Sequence, residues 1–320
     1  MYNAHKRTMV LKPPALNRGD LIGLVSPASA PSSREMIEKG VVYLERLGYR
    51  VRVGQNAAKV HGYLAGTDDQ RASDFNSMIC DKTVKAIFAI RGGYGTPRIL
   101  PLLDYKTLKR QPKIIVGYSD LTALQLAIFH KVGLITFSGP MAGVEMSDGI
   151  DPYTEEHFWQ LVTSRTKVGE LKNPSDEPLR VLHHGRRTGR LLGGNLATAI
   201  SLLKTPFAPD FTGSILVLED IDEAPHRVDR MLAQLSNARV LDRLAGLVFG
   251  KFINCVPSDS SRPFIPIGQV LERSAQEVEC PVLANLQYGH LAKKLTVPLG
   301  IKARIDGRKG LLEVTESAVS

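Results

Sequence analysis

Residues 113–129 have the sequence KIIVGYSDLTALQLAIF. A short β-branched run ends at Gly117, Ser119 follows two residues later, and an apolar helical pattern begins at once. This order is typical of a strand, a tight turn and a helix in a parallel α/β sheet, and a nucleophile elbow uses it to lift a serine hydroxyl above the sheet edge. The elbow pattern G-x-S-x-G is incomplete because position 121 is leucine. A serine or aspartate that only caps the helix therefore remains an alternative.

The same alternation of strand and helix patterns extends upstream and downstream of this stretch. Strands are predicted at 21–25, 51–53, 84–90, 114–116 and 134–137. Two intervening helices are predicted to start at capping boxes, Ser32 with Glu35 and Thr67 with Gln70, and each continues with one apolar face. Because continuous apolar strands are buried on both faces, residues 1–165 predict a doubly wound parallel α/β domain.

The second half of the chain has a different organisation. Apolar periodicity fails over residues 166–190, where the polar, proline-containing run KNPSDEP predicts a linker. Residues 191–320 then predict a second, mixed domain. Its predicted elements are a glycine-containing helix start at 193–203, strands at 215–218 and 246–249, a helix at 227–235, and a terminal hairpin of 301–305 with 311–314.

Composition excludes several classes of protein. With 43% hydrophobic and 23% charged residues, the chain falls in the globular range. It has neither an apolar run approaching about eighteen residues nor a signal-peptide pattern, so we expect a cytoplasmic protein with no membrane partner and a flexible tail at Met1 to Lys12. The net charge is +9, but the basic residues are scattered and do not alternate with aromatics, so no nucleic-acid partner is expected.

No metal or cofactor is predicted. Cys80, Cys255 and Cys280 form no C-x-x-C pair, which excludes a recognisable thiolate zinc site or disulfide framework. The acidic run 219–223 lacks the spacing of a calcium loop and has no H-x-x-x-H partner. The glycine-rich segments at 91–95 and 192–196 do not complete a dinucleotide or P-loop pattern.

A serine nucleophile needs a base and a group that orients the base. Among the eight histidines, His290 lies in a glycine-containing loop after an apolar run, where α/β scaffolds display functional groups. Glu219 is the first carboxylate beyond the apolar run 215–218. Two alternatives stay open at this point: a structural or exposed histidine, and an acidic turn that favours the start of the following helix.

Six short motifs are each weakly informative, but their occurrence together in this order is specific. They are Pro27-Ala28-Ser29, Arg91-Gly92-Gly93-Tyr94-Gly95, Gly117-Tyr118-Ser119-Asp120, Gly193-Gly194-Asn195-Leu196, Leu218-Glu219-Asp220 and Gly289-His290. Together they resemble the L,D-carboxypeptidase family of serine peptidases, family S66, over nearly the whole chain. The resemblance implies an α/β N-terminal domain, a smaller C-terminal domain of swivelling β/β/α type, a homodimer and no metal.

The resemblance also implies roles for individual residues. Ser119 would be the nucleophile, His290 the general base and later acid, and Glu219 the residue that orients the histidine. The substrate would be a small peptide, the cytosolic murein tetrapeptide, which loses its terminal D-alanine during peptidoglycan recycling.

Further residues of the same motifs are candidates for binding. The backbone amides of Asp120 and of Gly93, in preference to Gly92, would form the oxyanion hole. Arg91, Gly92 and Asn195 are candidate substrate-binding residues, and Arg91 is the candidate for the terminal carboxylate.

Two other functions are weighed against this one. The sister branch of the family resembles microcin C immunity hydrolases, which act on peptidyl or aminoacyl nucleotides and typically need an aromatic platform. Trp159 lies in a helix-like stretch that favours packing, and the acidic run 220–223 would repel a phosphate. The alternative from another class is a non-catalytic two-domain binding protein in which Ser119 and the glycine pair 92–93 hold a ligand carboxylate.

Overall fold

A six-stranded and an eight-stranded sheet organise the computed structural model, which describes residues 9–259 and 261–320. The strands are β1 (Leu21–Val25), β2 (Arg50–Val53), β3 (Val84–Ala89), β4 (Ile114–Gly117), β5 (Thr136–Ser138), β6 (Gly169–Glu170), β7 (Arg180–His183), β8 (Arg186–Asn195), β9 (Ile215–Ile221), β10 (Gly246–Ile253), β11 (Val282–Ala284), β12 (Val297–Leu299), β13 (Lys302–Asp306) and β14 (Leu311–Val314). The α-helices are α1 (Arg34–Arg46), α2 (Asp68–Cys80), α3 (Thr96–Ile99), α4 (Tyr105–Arg110), α5 (Leu121–Val132), α6 (Pro152–Thr163), α7 (Leu196–Ser201), α8 (Pro225–Asn237) and α9 (Ile267–Gln276). None of the helices in these ranges is long and apolar enough to cross a membrane.

The first sheet has the order β12-β5-β4-β3-β1-β2. Strands β1 to β5 pair in parallel, which confirms the predicted parallel α/β sheet. Successive residues of β3, such as Ile87 and Phe88, belong to different core clusters, so both faces of the sheet are covered. Strand β12 pairs antiparallel with β5, so the second half of the chain supplies one edge of the first sheet.

Local signals placed the first helices to within a residue. The capping box at Thr67 is confirmed, because its hydroxyl accepts from the Gln70 N–H at 3.3 Å and the Gln70 side chain accepts from the Thr67 N–H at 3.1 Å. The box at Ser32 is wrong: helix α1 is capped by Ser33, whose hydroxyl accepts from the Met36 N–H at 3.4 Å. Only Ser32 has a glutamate three residues later, but either serine is a favourable N-cap, and the extended backbone at Ser33 decides between them.

The second sheet has the order β6-β14-β13-β8-β9-β10-β11-β7 and combines a parallel centre with antiparallel edges. The predicted hairpin is confirmed as β13 and β14. Residues 166–190, expected to be a linker, contribute β6, β7 and the start of β8. Strands β6 and β7 are the two edges of the sheet, and they and the start of β8 are only partly buried, so the sequence shows no apolar alternation there.

The expected helix start at residue 193 is also wrong. Gly193 to Asn195 end β8, and helix α7 begins at Leu196. The expected flexible tail is partly outside the described residues, since residues 1–8 are not described. Within the described part, Leu11 forms a parallel bridge with Leu134, and Lys12 forms an ion pair with Glu316 at 2.9 Å, so the chain is already anchored there.

Candidate active site

Ser119 lies in the tight turn between strand β4 and helix α5, in the order that the sequence predicts. Its φ is +66°, a left-handed conformation that is strained for a residue with a side chain, at a cost of about 1–3 kcal/mol. The helix packs close to the strand, because a Cβ added to Gly117 would lie 2.8 Å from the Leu121 side chain. Glycine at 117 therefore makes room for the leucine that interrupts the G-x-S-x-G pattern, and the elbow forms without the second glycine.

The glycine-rich loop after β3 lies against this serine. A Cβ added to Gly92 would lie 2.9 Å from the Ser119 Cβ and 3.2 Å from its Oγ. Ser29 holds the loop in place, since its N–H donates to the Gly92 carbonyl at 3.3 Å and its Oγ accepts from the Tyr94 N–H at 3.1 Å. Three of the six motifs thus meet at one edge of the first sheet.

Two backbone amides at this edge have no hydrogen-bond acceptor within the described part of the chain. Over residues 9–259 and 261–320, no acceptor is found for the N–H of Gly93 or of Asp120. Asp120 is held from the other side, because its carboxylate accepts from the Thr96 N–H at 2.8 Å and its carbonyl accepts from the Thr96 hydroxyl at 2.5 Å. Burial raises the pKa of Asp120, and the hydrogen bonds from Thr96 act in the opposite direction. These amides are suited to stabilising an oxyanion that forms near Ser119.

His290 and Glu219 form a buried hydrogen-bonded pair. Nδ1 of His290 lies 2.7 Å from Oε2 of Glu219, and the carboxylate side chain is 1% exposed. Glycines make the approach possible: a Cβ at Gly289 would lie 2.9 Å from Glu219 Oε2, and one at Gly250 would lie 3.3 Å from its Cβ. A carboxylate on Nδ1 orients the imidazole and leaves Nε2 as the nitrogen for proton transfer.

The loop that carries His290, residues 286–295 (the His loop), is anchored to both sheets. The Leu295 N–H donates to the Gln287 carbonyl at 2.6 Å and closes the loop on itself. The Lys251 N–H donates to the Tyr288 carbonyl at 2.9 Å, and the Tyr288 hydroxyl lies 2.6 Å from the Ser138 Oγ at the end of β5. The histidine therefore has a fixed position relative to the edge where Ser119 lies.

Ser119 and His290 line the same cleft, a cavity of about 280 Å³. The other lining residues are Ser32, Met36, Arg91, Gly92, Gly93, Tyr118, Met141, Gly143 and Val144. A second cavity of about 470 Å³ continues past Tyr118, Val144 and His290 towards Asp148 and Asp151. Together they provide an open groove on both sides of His290, suited to an extended small molecule.

The structure brings together most of the predicted site residues. Ser119, His290 and the 91–93 segment share the cleft, and Glu219 lies directly behind the histidine. Sequence reasoning missed Tyr118, whose ring contacts the His290 ring edge-on with centroids 5.0 Å apart. It also missed the segment 139–146, although the glycines of GPMAGVEM after a predicted strand are the kind of signal that marked the 91–95 loop.

Asn195 does not lie in this cleft, so the structure does not support the predicted substrate contact. Its Oδ1 accepts from the Thr198 N–H at 3.0 Å, which caps helix α7, and its Nδ2 donates to Asp220 at 2.8 Å. Its own N–H donates to the Thr122 hydroxyl at 3.0 Å on helix α5. The motif at 193–196 therefore joins the second sheet to the helix that follows Ser119.

Replacing Asn195 with alanine tests this structural role. We expect Asn195→Ala to lower the free energy of unfolding by about 1–2 kcal/mol, because it removes the helix cap and leaves the buried Asp220 carboxylate with one donor fewer. Chemical denaturation measures the loss, and steady-state kinetics should show an unchanged KM. A raised KM at unchanged stability would instead place Asn195 in substrate binding.

Among the described residues, no three His, Cys, Asp or Glu side chains are placed to hold a metal ion. Cys80 is exposed, and Cys255 and Cys280 are buried; all three are free. Trp159 stacks on Tyr49 at 5.1 Å between ring centroids and donates to the Tyr43 hydroxyl at 2.9 Å. The tryptophan thus packs between helices, as the sequence pattern favoured.

Comparisons with known proteins identify one family over both halves of the chain. A family model described as the LD-carboxypeptidase N-terminal domain matches residues 22–139, and the model of the LD-carboxypeptidase C-terminal domain matches residues 188–305. The chain is 40% identical, over 298 residues, to the probable murein peptide carboxypeptidase of Bacillus subtilis strain 168, covering 92% of this chain and 91% of that protein.

Solved structures show the same two-domain fold. The muramoyltetrapeptide carboxypeptidase from Oxalobacter formigenes superposes with a TM-score of 0.80 at 29% identity, covering 93% of this chain and 98% of that one. The microcin C7 self-immunity protein MccF, in complex with glutamyl sulfamoyl guanosine, superposes with a TM-score of 0.85 at 28% identity, covering 97% and 100%.

Proposed function

Because the chain belongs to the LD-carboxypeptidase family S66, we propose that it is a serine carboxypeptidase that removes the terminal D-alanine from murein tetrapeptides. One observation carries the proposal. Ser119, in a strained elbow, shares a cleft with His290, whose Nδ1 is bonded to the buried Glu219. A non-catalytic binding cleft has no need of a buried carboxylate bonded to the histidine, so the geometry favours an enzyme over a binding protein.

The shared cleft and the His290–Glu219 hydrogen bond support a role for each residue. His290 Nε2 takes the proton of Ser119 as Oγ attacks the carbonyl carbon of the L,D-amide. The amides of Gly93 and Asp120 stabilise the oxyanion, and His290 gives its proton to the nitrogen of D-alanine as the C–N bond breaks. Water, deprotonated by His290, then attacks the acyl-enzyme and releases the shortened peptide and the serine hydroxyl.

The cavity that holds Ser119 offers a cation to the substrate's carboxylates. Murein tetrapeptides carry several carboxylates, and Arg91 places a guanidinium among the lining residues, where it is the candidate for the terminal carboxylate. The guanidinium is held in place by a hydrogen bond, because its Nη1 donates to the Ala30 carbonyl at 3.2 Å. A cytoplasmic role in peptidoglycan recycling and a homodimeric state belong to the same proposal and stay predictions.

A second candidate function comes from the sister branch. The likeness to MccF, solved with an aminoacyl nucleotide analogue, favours hydrolysis of peptidyl or aminoacyl nucleotides. Trp159, however, packs against Tyr49 and Tyr43 and does not line the cleft, so it provides no platform for a base there. We therefore rank the murein peptide first.

Direct assay of the two substrate classes separates these functions. We expect the purified protein, with chelator present, to release D-alanine from murein tetrapeptide and to leave the tripeptide as the other product. A glutamyl sulfamoyl adenosine incubated in parallel should remain intact. Cleavage of the sulfamoyl compound without release of D-alanine would assign the protein to the sister branch, and cleavage of neither would contradict both.

A further inference from the structure

Tyr118 lies at the contact between the two halves of the proposed active site. It directly precedes Ser119, and its ring meets the His290 ring edge-on at 5.0 Å between centroids with an interplanar angle of 68°. The ammonium of Lys294 lies 3.6 Å from the centroid of the same ring. The tyrosine ring is therefore held between a histidine and a cation from one loop, while its backbone leads into the nucleophile.

The Tyr118 hydroxyl is fixed by a buried ion pair. It donates to Oε1 of Glu145 at 2.8 Å, and the same carboxylate oxygen is paired with Lys294. The other oxygen, Oε2, accepts from the Met141 N–H at 2.9 Å. The side chains of Lys294 and Glu145 are 2% and 8% exposed, so water solvates neither charge well.

Burial of an ion pair seldom adds stability over an apolar pair of the same volume. Burial lowers the pKa of Lys294, and the Glu145 carboxylate opposes that effect. A pair that is costly to bury, and that touches the residue between nucleophile and base, calls for a role beyond folding.

The pair also joins three separate segments. Tyr118 belongs to the elbow, Glu145 to the segment after β5, and Lys294 to the His loop, four residues after His290. The backbone at Lys294 is itself fixed, because its N–H donates to the Thr154 hydroxyl at 2.8 Å, which in turn donates to the Ala292 carbonyl at 2.8 Å. The three segments are thus held together by one buried network.

We propose that Glu145 and Lys294 are positioning residues that act through Tyr118, holding the His290 ring and the Ser119 elbow in the relative geometry that proton transfer requires. The inference rests on the proposed function, since it takes Ser119 as nucleophile and His290 as base. Lys294 lines neither cavity, so its contribution is to the rate of the chemical step and not to binding. Glu145 does line the second cavity, and its positioning role rests on its hydrogen bond from the Tyr118 hydroxyl.

Covalent labelling of Ser119 by a fluorophosphonate tests this inference. In this reaction Ser119 Oγ forms the bond to phosphorus, fluoride leaves, and the serine proton passes to His290. The measured quantities are the maximal labelling rate constant, the half-saturating probe concentration and the fraction labelled at the end. A merely structural defect lowers the fraction labelled, because less protein is folded, whereas misplacement of the base lowers the rate constant.

For Lys294→Met we expect the rate constant to fall about tenfold to a hundredfold at an unchanged half-saturating concentration, because the unpaired Glu145 carboxylate draws the Tyr118 hydroxyl out of place. The double variant Lys294→Met/Glu145→Gln keeps an acceptor for that hydroxyl and removes the unpaired charge. Its rate constant should stay at least about threefold below that of the wild type, because the Lys294 ammonium no longer packs on the Tyr118 ring. Full recovery would show that the single variant suffers only from an unpaired charge, and it would overturn the positioning role of Lys294. The matched control is Lys293→Met, the neighbouring lysine, whose side chain is 43% exposed and which should label like the wild type.

The outcomes are distinct. A folded Lys294→Met protein that labels at the wild-type rate, or that loses only labelled fraction, overturns the inference. If that variant does not fold, Tyr118→Phe decides, since it removes only the hydroxyl: a rate lowered at least threefold supports the inference and an unchanged rate overturns it. A wild-type protein that is not labelled at Ser119 overturns the proposed function itself.

Discussion

Replacing Ser119 with alanine should lower kcat for D-alanine release by about 10⁵- to 10⁶-fold, because it removes the only atom that forms the acyl bond in the proposed mechanism. The backbone amides of the oxyanion hole remain, so a small residual acceleration over water is expected. Release of D-alanine, followed by chromatography over long incubations, measures both the loss of kcat and the residual rate above that in water.

Two further variants separate chemistry from folding. Ser119→Gly also removes the hydroxyl but accepts the left-handed φ of +66° without strain, so it should be inactive and fully folded. Ser26→Ala is the matched control, since Ser26 is buried near the same sheet edge and its Oγ donates to the Ala57 carbonyl at 2.7 Å. It should cost stability and keep kcat. A Ser119→Ala protein that retained its kcat would show that another group attacks the substrate.

Replacing Glu219 with glutamine is expected to lower kcat by about 10³- to 10⁴-fold at a nearly unchanged KM. The carboxylate accepts from Nδ1–H of His290 at 2.7 Å and so keeps Nε2 free to take the serine proton. A glutamine amide is able to donate to Nδ1 instead, which stabilises the wrong tautomer of the histidine. It also no longer offsets the positive charge that forms on the ring during catalysis.

The control for this variant is Glu155→Gln, the same substitution at a partly buried carboxylate on α6, where the Tyr43 hydroxyl donates to it at 2.6 Å. We expect wild-type kinetics from that protein. The tautomer explanation also predicts that NMR of the Glu219→Gln protein shows the His290 proton on Nε2. A Glu219→Gln protein with full kcat would contradict the assigned role and leave Glu219 a purely structural partner of the histidine.

Much of the fold was accessible from local sequence. The five parallel strands of the first sheet, the strand–turn–helix around Ser119 and the terminal hairpin follow from apolar runs and from the glycines that end them. Gly92 and Gly117 follow apolar runs, which the sequence shows; that each leaves room for a close neighbour is seen only in the structure. Backbone conformation and side-chain periodicity depend on a few adjacent residues, so a single sequence reveals them.

Features that depend on contacts between distant residues could not be predicted from the sequence. Strand β12 completes the first sheet from the far end of the chain, and the 166–190 segment forms edge strands that lack alternation because they are half exposed. Asn195 became a helix cap because Asp220 and Thr122 supply its other partners. Such pairings arise only when separated segments pack together.

The features of the site also divide into those that the sequence predicted and those that only the structure showed. The sequence by itself determined the serine in its elbow and, through the order of its motifs, which histidine and carboxylate to consider. Only the tertiary structure decided that His290 bonds to Glu219, that it shares a cleft with Ser119, and that a buried ion pair holds Tyr118 between them. The physical reason is that these contacts join residues far apart in the chain, 71 positions for His290 and Glu219 and 149 for Lys294 and Glu145, which meet only when the chain has folded.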